Sequence, residues 1–484
     1  MPAPRPTADR PATIALGDIL TGLSHALDIT EGQERGHTAR ACLIGVRLAA
    51  IIGLSDLEQR DLFYALLIKD AGGSSNSSHL YQLFSQGTAP REMNLRDWRS
   101  LVRESGYARE YAGIGGSIWE RLAHVGHLSK AGRAERRSLF RIRSSRGARM
   151  AIGLGLSEAS ATAIRSMDEH WDGGGDPQGL RGEEIPLLAR IIGLSQVAEV
   201  FAHTQSQDAA LAVVERRSGR WFDPALVTAF RTLVGDAAFW TSLRQESVDE
   251  LVKAVEPAQV RIVADEARLD QIADAFASLI DAKSPYTSDH SRRVAHLAVV
   301  IGERLGFTVP ELTRLRRAAL LHDIGKLGVP SRVLEKPGAL TPDEWDLIRL
   351  HPAHTLQILQ AVPGFSDFAF DAACHHEKLD GSGYYHGYTG DQLSQTARAL
   401  TVADMADALL TDRPYRQALE PFDALRILHG DCIAGQLCPD SVDAFTDYVA
   451  ERLTAAEVQP PVEFDDDLDH EPDHHTDDLT TRLQ

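Results

Sequence analysis

Apolar residues return at three- and four-residue steps along much of this chain, the period of a helix with one buried face. After His290 the stripe runs through Val294, Leu297, Ala298, Ile301 and Leu305, and Gly306 stands where a helix C-cap favours glycine. Leu43, Val46, Leu48, Ile51 and Ile52 make a second stripe, and the pattern resumes from Leu400 to Leu410. Thr341-Pro342-Asp343-Glu344 has capping-box spacing with proline at the first helical position, which predicts a helix running toward Leu350. Val260 to Ile280 has helical spacing and predicts a helix, whereas Gly-Gly-Ser-Ser-Asn-Ser-Ser from Gly72 to Ser78 predicts a loop. No long stretch alternates apolar with polar residues, so the chain is read as all-α.

Short strings occur twice. Gly36-His37-Thr38-Ala39-Arg40 matches Asp289-His290-Ser291-Arg292-Arg293, and Lys69-Asp70-Ala71-Gly72-Gly73 matches His322-Asp323-Ile324-Gly325-Lys326. Both pairs are offset by 253 residues (37 to 290, 69 to 322). Farther on, the stretch from Glu169 through Asp172 to Gly175 matches Glu377 through Asp380 to Gly383. Ala189-Arg190 then matches Ala397-Arg398. Residues 74 to 140 match nothing clearly in the second half.

Charge narrows the partners. The 484-residue chain is long enough for two or three domains, and its net charge of −19 argues against a DNA- or RNA-binding surface. Ten acidic residues and one basic residue lie between Glu457 and Gln484, so this end reads as a solvated, disordered tail, its histidines His470, His474 and His475 included. The four cysteines, Cys42, Cys374, Cys432 and Cys438, form no Cys-x-x-Cys pair and no disulfide framework is expected. The N-terminal Met-Pro-Ala-Pro-Arg-Pro has no apolar signal core, and no apolar run approaches a membrane span. The expectation is a soluble cytoplasmic protein with no membrane partner.

The candidate chemistry lies between His290 and Asp407. His322-Asp323-Ile324-Gly325-Lys326 is followed by His351, by His375-His376-Glu377, and by Asp404 and Asp407. Imidazoles and carboxylates with almost no thiol nearby are ligands for iron, manganese or zinc. An aspartate adjacent to a histidine can bridge two ions, an arrangement suited to phosphodiester hydrolysis. Asp380-Gly-Ser-Gly383-Tyr384-Tyr385 and Asp412-Arg413-Pro414-Tyr415-Arg416 complete the series.

From about Ile272 to Val449 this order of motifs resembles the HD-GYP family of HD-domain metal phosphohydrolases, whose Gly-Tyr-Pro reads Gly383-Tyr384-Tyr385 here. The resemblance implies two divalent ions, iron or manganese first, with zinc, nickel or magnesium as alternatives. One ion would take His290, His322, Asp323 and Asp404, and the other Asp323, His351, His375 and His376. It gives Lys326 a phosphate contact, and Tyr384, Arg413 and Arg416 contacts to a cyclic dinucleotide. Asp407, three residues after Asp404, is expected to orient a ligand or protonate the leaving oxygen. Some relatives bind a third ion through a glutamate at the position of Tyr286, so a binuclear site is expected. The implied activity is hydrolysis of cyclic di-GMP to pGpG and onward to GMP. A different cyclic dinucleotide or nucleotide, or a sensor without turnover, are the alternatives. A homodimer and a diguanylate cyclase or other signalling partner are left open.

The first half lacks most of that set, with Lys69 for His322, Gly73 for Lys326, Met167 and Asp168 for His375 and His376, and Gln196 for Asp404. Where His351 would have a partner it offers Arg143 to Arg149, so only His37 and Asp70 remain. The expected organisation is two tandem HD-type helical bundles joined by a helix. Residues 1–245 form a degenerate domain with a regulatory or dimerising role, 246–270 a helical linker, 271–456 the catalytic domain and 457–484 the acidic tail.

Overall fold

Side-chain caps decide where several of these helices begin. Ser55 and Glu58 close a reciprocal capping box, and Thr341 and Glu344 close another, with Thr341 N donating to the Glu344 carboxylate at 2.8 Å. The computed structural model describes residues 14–30, 33–73, 137–138, 140–244, 248–283, 289–334, 336, 338–412 and 417–458. Among them the architecture is helical, with one two-stranded sheet.

Two tandem HD-type bundles follow one another. The first contains α1 (Leu16–Thr30), α2 (His37–Ile51), α3 (Asp56–Ile68), a helical stretch over 140–153 and α4 (Leu187–Thr204). The second contains, after a short α5 (Val248–Ala254), α6 (Glu266–Asp281), α7 (His290–Arg304), α8 (Val309–Leu321), α9 (Pro342–Arg349), α10 (His351–Gln360) and α11 (Gln395–Leu410). Helices α2 and α7 start 253 residues apart, and α3 and α8 end 253 residues apart. For α4 and α11 the offset drops to 208, so the first bundle carries extra chain between these points. The expected Gly72–Ser78 loop and most of 74–140 lie outside the described residues.

The connection between bundles is packed onto the first. Expected to be helical from Val260, it becomes helical only at Glu266, where Asp265 caps α6 by accepting from Arg268 N at 2.8 Å. Before that, Val263–Ala264 pair antiparallel with Ile14–Ala15, and Leu16 N donates to Ile262 O at 2.9 Å. These residues spend their backbone groups on a strand ladder and are not free to continue a helix. Buried Glu256 accepts from the Tyr64 hydroxyl at 2.7 Å and from Gly17 N at 3.3 Å. Asp249 on α5 meets His25 of α1 at 2.9 Å.

Helix α1 then crosses between bundles. It packs on α2 and α3, and also on α10 and the 3-10 turn Ile324–Gly328 of the second bundle. A Cβ at Gly22 would lie 2.8 Å from Ala361 O, so glycine allows the two backbones to approach. One apolar core therefore runs through both bundles. The last helix ends at Val458, and the rest of the expected tail, 459–484, lies outside the described residues. Among the described residues no helix is long and apolar enough to cross a membrane.

The tightest contact is the seat of that 3-10 turn. A Cβ at Gly325 would lie 1.9 Å from His351 O and 2.7 Å from Thr355 N. Gly325→Ala is therefore expected to destabilise the protein by about 1–3 kcal/mol through overpacking. Gly153→Ala, on an exposed helical position with open space around it, should instead stabilise by about 0.5–1 kcal/mol. Denaturant midpoints of the two variants check this, and equal midpoints would show that the turn does not press on α10.

Candidate metal centre

Helix ends bring six of the seven expected ligands together. His290 is the first residue of α7, His322 follows α8 directly, and Asp323 opens the 3-10 turn. His351 begins α10, and His375 and His376 follow the short helix Ala369–Ala373. Asp404 alone comes from mid-helix, in α11. Three sets of ligand atoms each lie within 4.8 Å of one another: His290, His322 and Asp404; His322, Asp323 and His375; and His351, His375 and His376. Asp323 stands between two groups. Its Oδ2 faces His290 and His322 Nε2 at 3.8 and 3.4 Å, and its Oδ1 faces His351 and His375 Nε2 at 3.4 and 3.6 Å.

Backbone carbonyls orient the rings. His322 Nδ1 lies 2.7 Å from Ala319 O, His351 Nδ1 2.7 Å from Ile348 O, and His375 Nδ1 2.7 Å from Ala372 O. A carbonyl only accepts, so each Nδ1 carries a proton and each ring turns its Nε2 into the centre. The Nε2 atoms of His351 and His375 nevertheless face each other at 3.1 Å. His322 Nε2 and Asp323 Oδ1 are buried with no hydrogen-bond partner. Converging lone pairs and an unpartnered carboxylate oxygen need a cation, and this donor set fits divalent metal ions. His290 uses the same device with a carboxylate: Asp407 Oδ2 lies 2.7 Å from its Nδ1, and Arg293 Nε holds Asp407 Oδ1 at 2.6 Å.

Burial and charge divide the centre. Burial pushes His351 and His376 down, each to about 3, and His375 well below its usual range, so these rings stay neutral and able to coordinate. Burial also opposes charge on His290, but its hydrogen bonds to Asp404 and Asp407 prevail and raise it to about 9. For Asp323 burial is again outweighed, by Lys326 and His322, which hold its carboxyl well below the usual range.

The remaining predicted residues divide. Lys326 Nζ pairs with Asp323 Oδ2 at 2.5 Å, one turn along from it and at the edge of the centre. Asp407 sits behind His290, away from the converging Nε2 atoms, which fits the orienting role among the two expected. Tyr384 stacks on His376, with ring centroids 4.6 Å apart, and the Arg349 guanidinium lies 5.9 Å from the Tyr384 ring centre. Arg413, Arg416 and Tyr286 lie outside the described residues.

Two supporting residues, Thr355 and Arg349, were not singled out from sequence, and a third, Glu377, was named in its motif without a role. Thr355 donates to His322 O at 2.8 Å and accepts from Gly325 N at 3.0 Å, tying the His-Asp turn to α10. Its spacing, four residues after His351 on one helix face, was the available signal. Glu377 accepts from His386 N and Tyr388 N at 2.7 and 3.0 Å and so holds the loop carrying Tyr384. Arg349 reaches Tyr384 from α9, and nothing in the motif series marked it.

The first bundle fills the same place with its own cations. Lys69 Nζ pairs with Asp70 and lies 3.3 Å from His37 Nε2, and Arg143 holds Asp70 Oδ1 at 2.9 Å. At the 208-residue offset Arg143 stands opposite His351, and Glu199 stands opposite Asp407. Glu199 accepts from Arg40 Nε at 2.6 Å and pairs with His37 Nδ1, as Asp407 does with Arg293 and His290.

A family model described as the HD domain matches residues 111–226 and 274–431. The chain is 41% identical over 417 residues, 86% of its length and 91% of the relative's, to 3'3'-cGAMP-specific phosphodiesterase 3 of Vibrio cholerae. It is 36% identical over 209 residues, 42% of its length and 54% of the relative's, to a cyclic di-GMP phosphodiesterase response regulator of Xanthomonas campestris. Among solved structures, a cyclic GMP-AMP-specific phosphodiesterase of V. cholerae superposes with a TM-score of 0.62 at 36% identity, covering 93% of this chain and 99% of that one. The chain belongs to the HD-domain family, in its HD-GYP branch of metal phosphohydrolases.

Proposed function

We propose that this protein is a metal-dependent phosphodiesterase of cyclic dinucleotides, with two cations in one centre and 3'3'-cGAMP as the preferred substrate. The observation that carries the cation count is the split of Asp323. Oδ2 turns to His290 and His322, Oδ1 turns to His351 and His375, and Asp404 and His376 complete the two groups. Bound there, two divalent ions would supply an activated water and neutralise charge on phosphorus. The substrate preference is supported by the near full-length V. cholerae relative. Cyclic di-GMP, expected from the motifs, is the second reading, supported by a relative that aligns over less than half of this chain.

The chain's own residues then have distinct tasks. Lys326 donates from the edge of the centre, where a phosphate oxygen would compete with Asp323 for its ammonium. Asp407 and Arg293 fix the His290 ring so that Nε2 points inward. Tyr384 closes one side over His376. In the first bundle Lys69 and Arg143 satisfy Asp70 from within, so that bundle acts as a packed support and regulator without its own ions.

Purified protein loaded anaerobically with iron or manganese is expected to hold close to two ions per chain and to linearise 3'3'-cGAMP faster than cyclic di-GMP. Elemental analysis with product chromatography checks both, and stoichiometric metal without hydrolysis of any cyclic dinucleotide would leave only a sensor. Asp407→Asn should weaken metal affinity about 10–100-fold, with activity recovered at high metal concentration. Metal titration decides this, since a role in protonating the leaving oxygen would not be rescued by metal. Lys326→Ala should keep both ions and lower turnover by about 10²–10³. Wild-type turnover in that variant would remove Lys326 from the reaction.

A further inference from the structure

Beside the metal centre lies a cleft of about 340 Å³, lined by Leu340, Pro342, Trp345, Asp346 and Arg349. That volume is at the lower end of small-molecule sites and suits one part of a ligand. Trp345 and Arg349 stand four residues apart on α9, so their side chains share a helix face. Trp345 is 45% exposed, unusual for so large an apolar ring, and its neighbours in the cleft are apolar Leu340 and Pro342. Among the described residues neither Asp346 nor Arg349 has an ion-pair partner. Arg349 links the cleft to the centre, because its guanidinium lies 5.9 Å from the Tyr384 ring, which stacks on His376 at 4.6 Å.

Chemically the lining is selective. An indole offers a face on which any base can stack. A guanidinium matches the two acceptors O6 and N7 of guanine bidentately, whereas adenine presents a donor at N6 beside N7. A carboxylate accepts from the N1–H and N2–H groups of guanine, but would oppose the N1 lone pair of adenine. We propose that this cleft is a guanine subsite, in which Trp345 stacks on the base of a cyclic dinucleotide while Arg349 and Asp346 read its edges. This rests on the phosphodiesterase reading for its orientation. With one phosphate at Lys326 and the metal ligands, the base reaches past Tyr384 into the cleft. Arg349 is then a specificity-determining residue, and a mixed dinucleotide binds with its guanine in the cleft and its adenine elsewhere.

The test uses the metal-loaded, full-length protein and hydrolysis-resistant phosphorothioate analogues of cyclic di-GMP, 3'3'-cGAMP and cyclic di-AMP, titrated by calorimetry. Arg349→Met and Asp346→Asn are each expected to weaken binding of the two guanine-containing analogues by about tenfold or more, and that of the diadenine analogue by less. Trp345→Ala should weaken all three to similar degrees, because stacking does not distinguish bases. Metal content in each variant should match the wild type, which separates base reading from damage to the centre. Equal losses for all three analogues in the Arg349 and Asp346 variants, or no loss, would overturn the proposal, as would a wild-type protein that binds neither guanine analogue. If the predicted selectivity is found but the natural dinucleotides are not hydrolysed, the subsite stands and the phosphodiesterase reading falls.

Discussion

A buried aspartate at the end of the third helix of each bundle sets the terms for everything around it. Asp323 is 1% exposed and Asp70 3% exposed, and a carboxylate taken so far from water is tolerated only beside positive charge. The two bundles meet this requirement differently. Around Asp70 the cations are covalent parts of the chain, the Lys69 ammonium and the Arg143 guanidinium. Around Asp323 those two positions are His322 and His351, whose Nε2 atoms turn inward, and Lys326 reaches only one oxygen. Two histidines in place of two fixed cations turn a self-neutralised carboxylate into one that calls for ligand cations.

Backbone contacts keep that carboxylate in place. Gly325 lets the His-Asp turn lie directly on α10, and Gly72 does the same in the first bundle, where a Cβ would lie 1.9 Å from Arg143 O. Gly383 and Gly175 likewise press on the backbone after the ligand pair and its counterpart, with hypothetical Cβ atoms 2.5 Å from Glu377 Cα and 2.4 Å from Glu169 Cα. Glu169 holds the loop beyond it, accepting from Gln178 N and Leu180 N, as Glu377 does in the second bundle. The scaffold is thus common to both bundles, and the chemistry differs by a few side chains pointing into it.

Much of this was legible in the sequence, because ligands cluster at helix ends and helix ends are marked by local signals such as Thr341 with Glu344, or Gly306 with its φ of +77°. Relations that depend on the fold were not legible. Arg143 lay within the stretch Arg143 to Arg149 expected opposite His351, but that its guanidinium reaches Asp70 depends on the fold. Glu199 was hidden by its extra methylene relative to Asp407. The Nδ1-to-carbonyl bonds of His322, His351 and His375 require backbone geometry that no motif states. The pairing of Ile14–Ala15 with Val263–Ala264 involves too few residues to produce an alternating pattern.

The same reasoning bears on the proposal that the first bundle holds no ions of its own. Histidine in place of Lys69 would lose one ammonium, but Arg143 would still neutralise Asp70 and occupy the second group's space. Met167 and Gln196 would still offer no imidazole and no carboxylate where His375 and Asp404 stand. Each single change would leave a partly compensated, partly unpartnered set of buried polar groups, which costs more than either complete solution. Packing also ties the first bundle to the second. Its first helix, α1, lies against the turn that carries Gly325 and Lys326, so the degenerate bundle forms part of the wall behind the metal centre of the other.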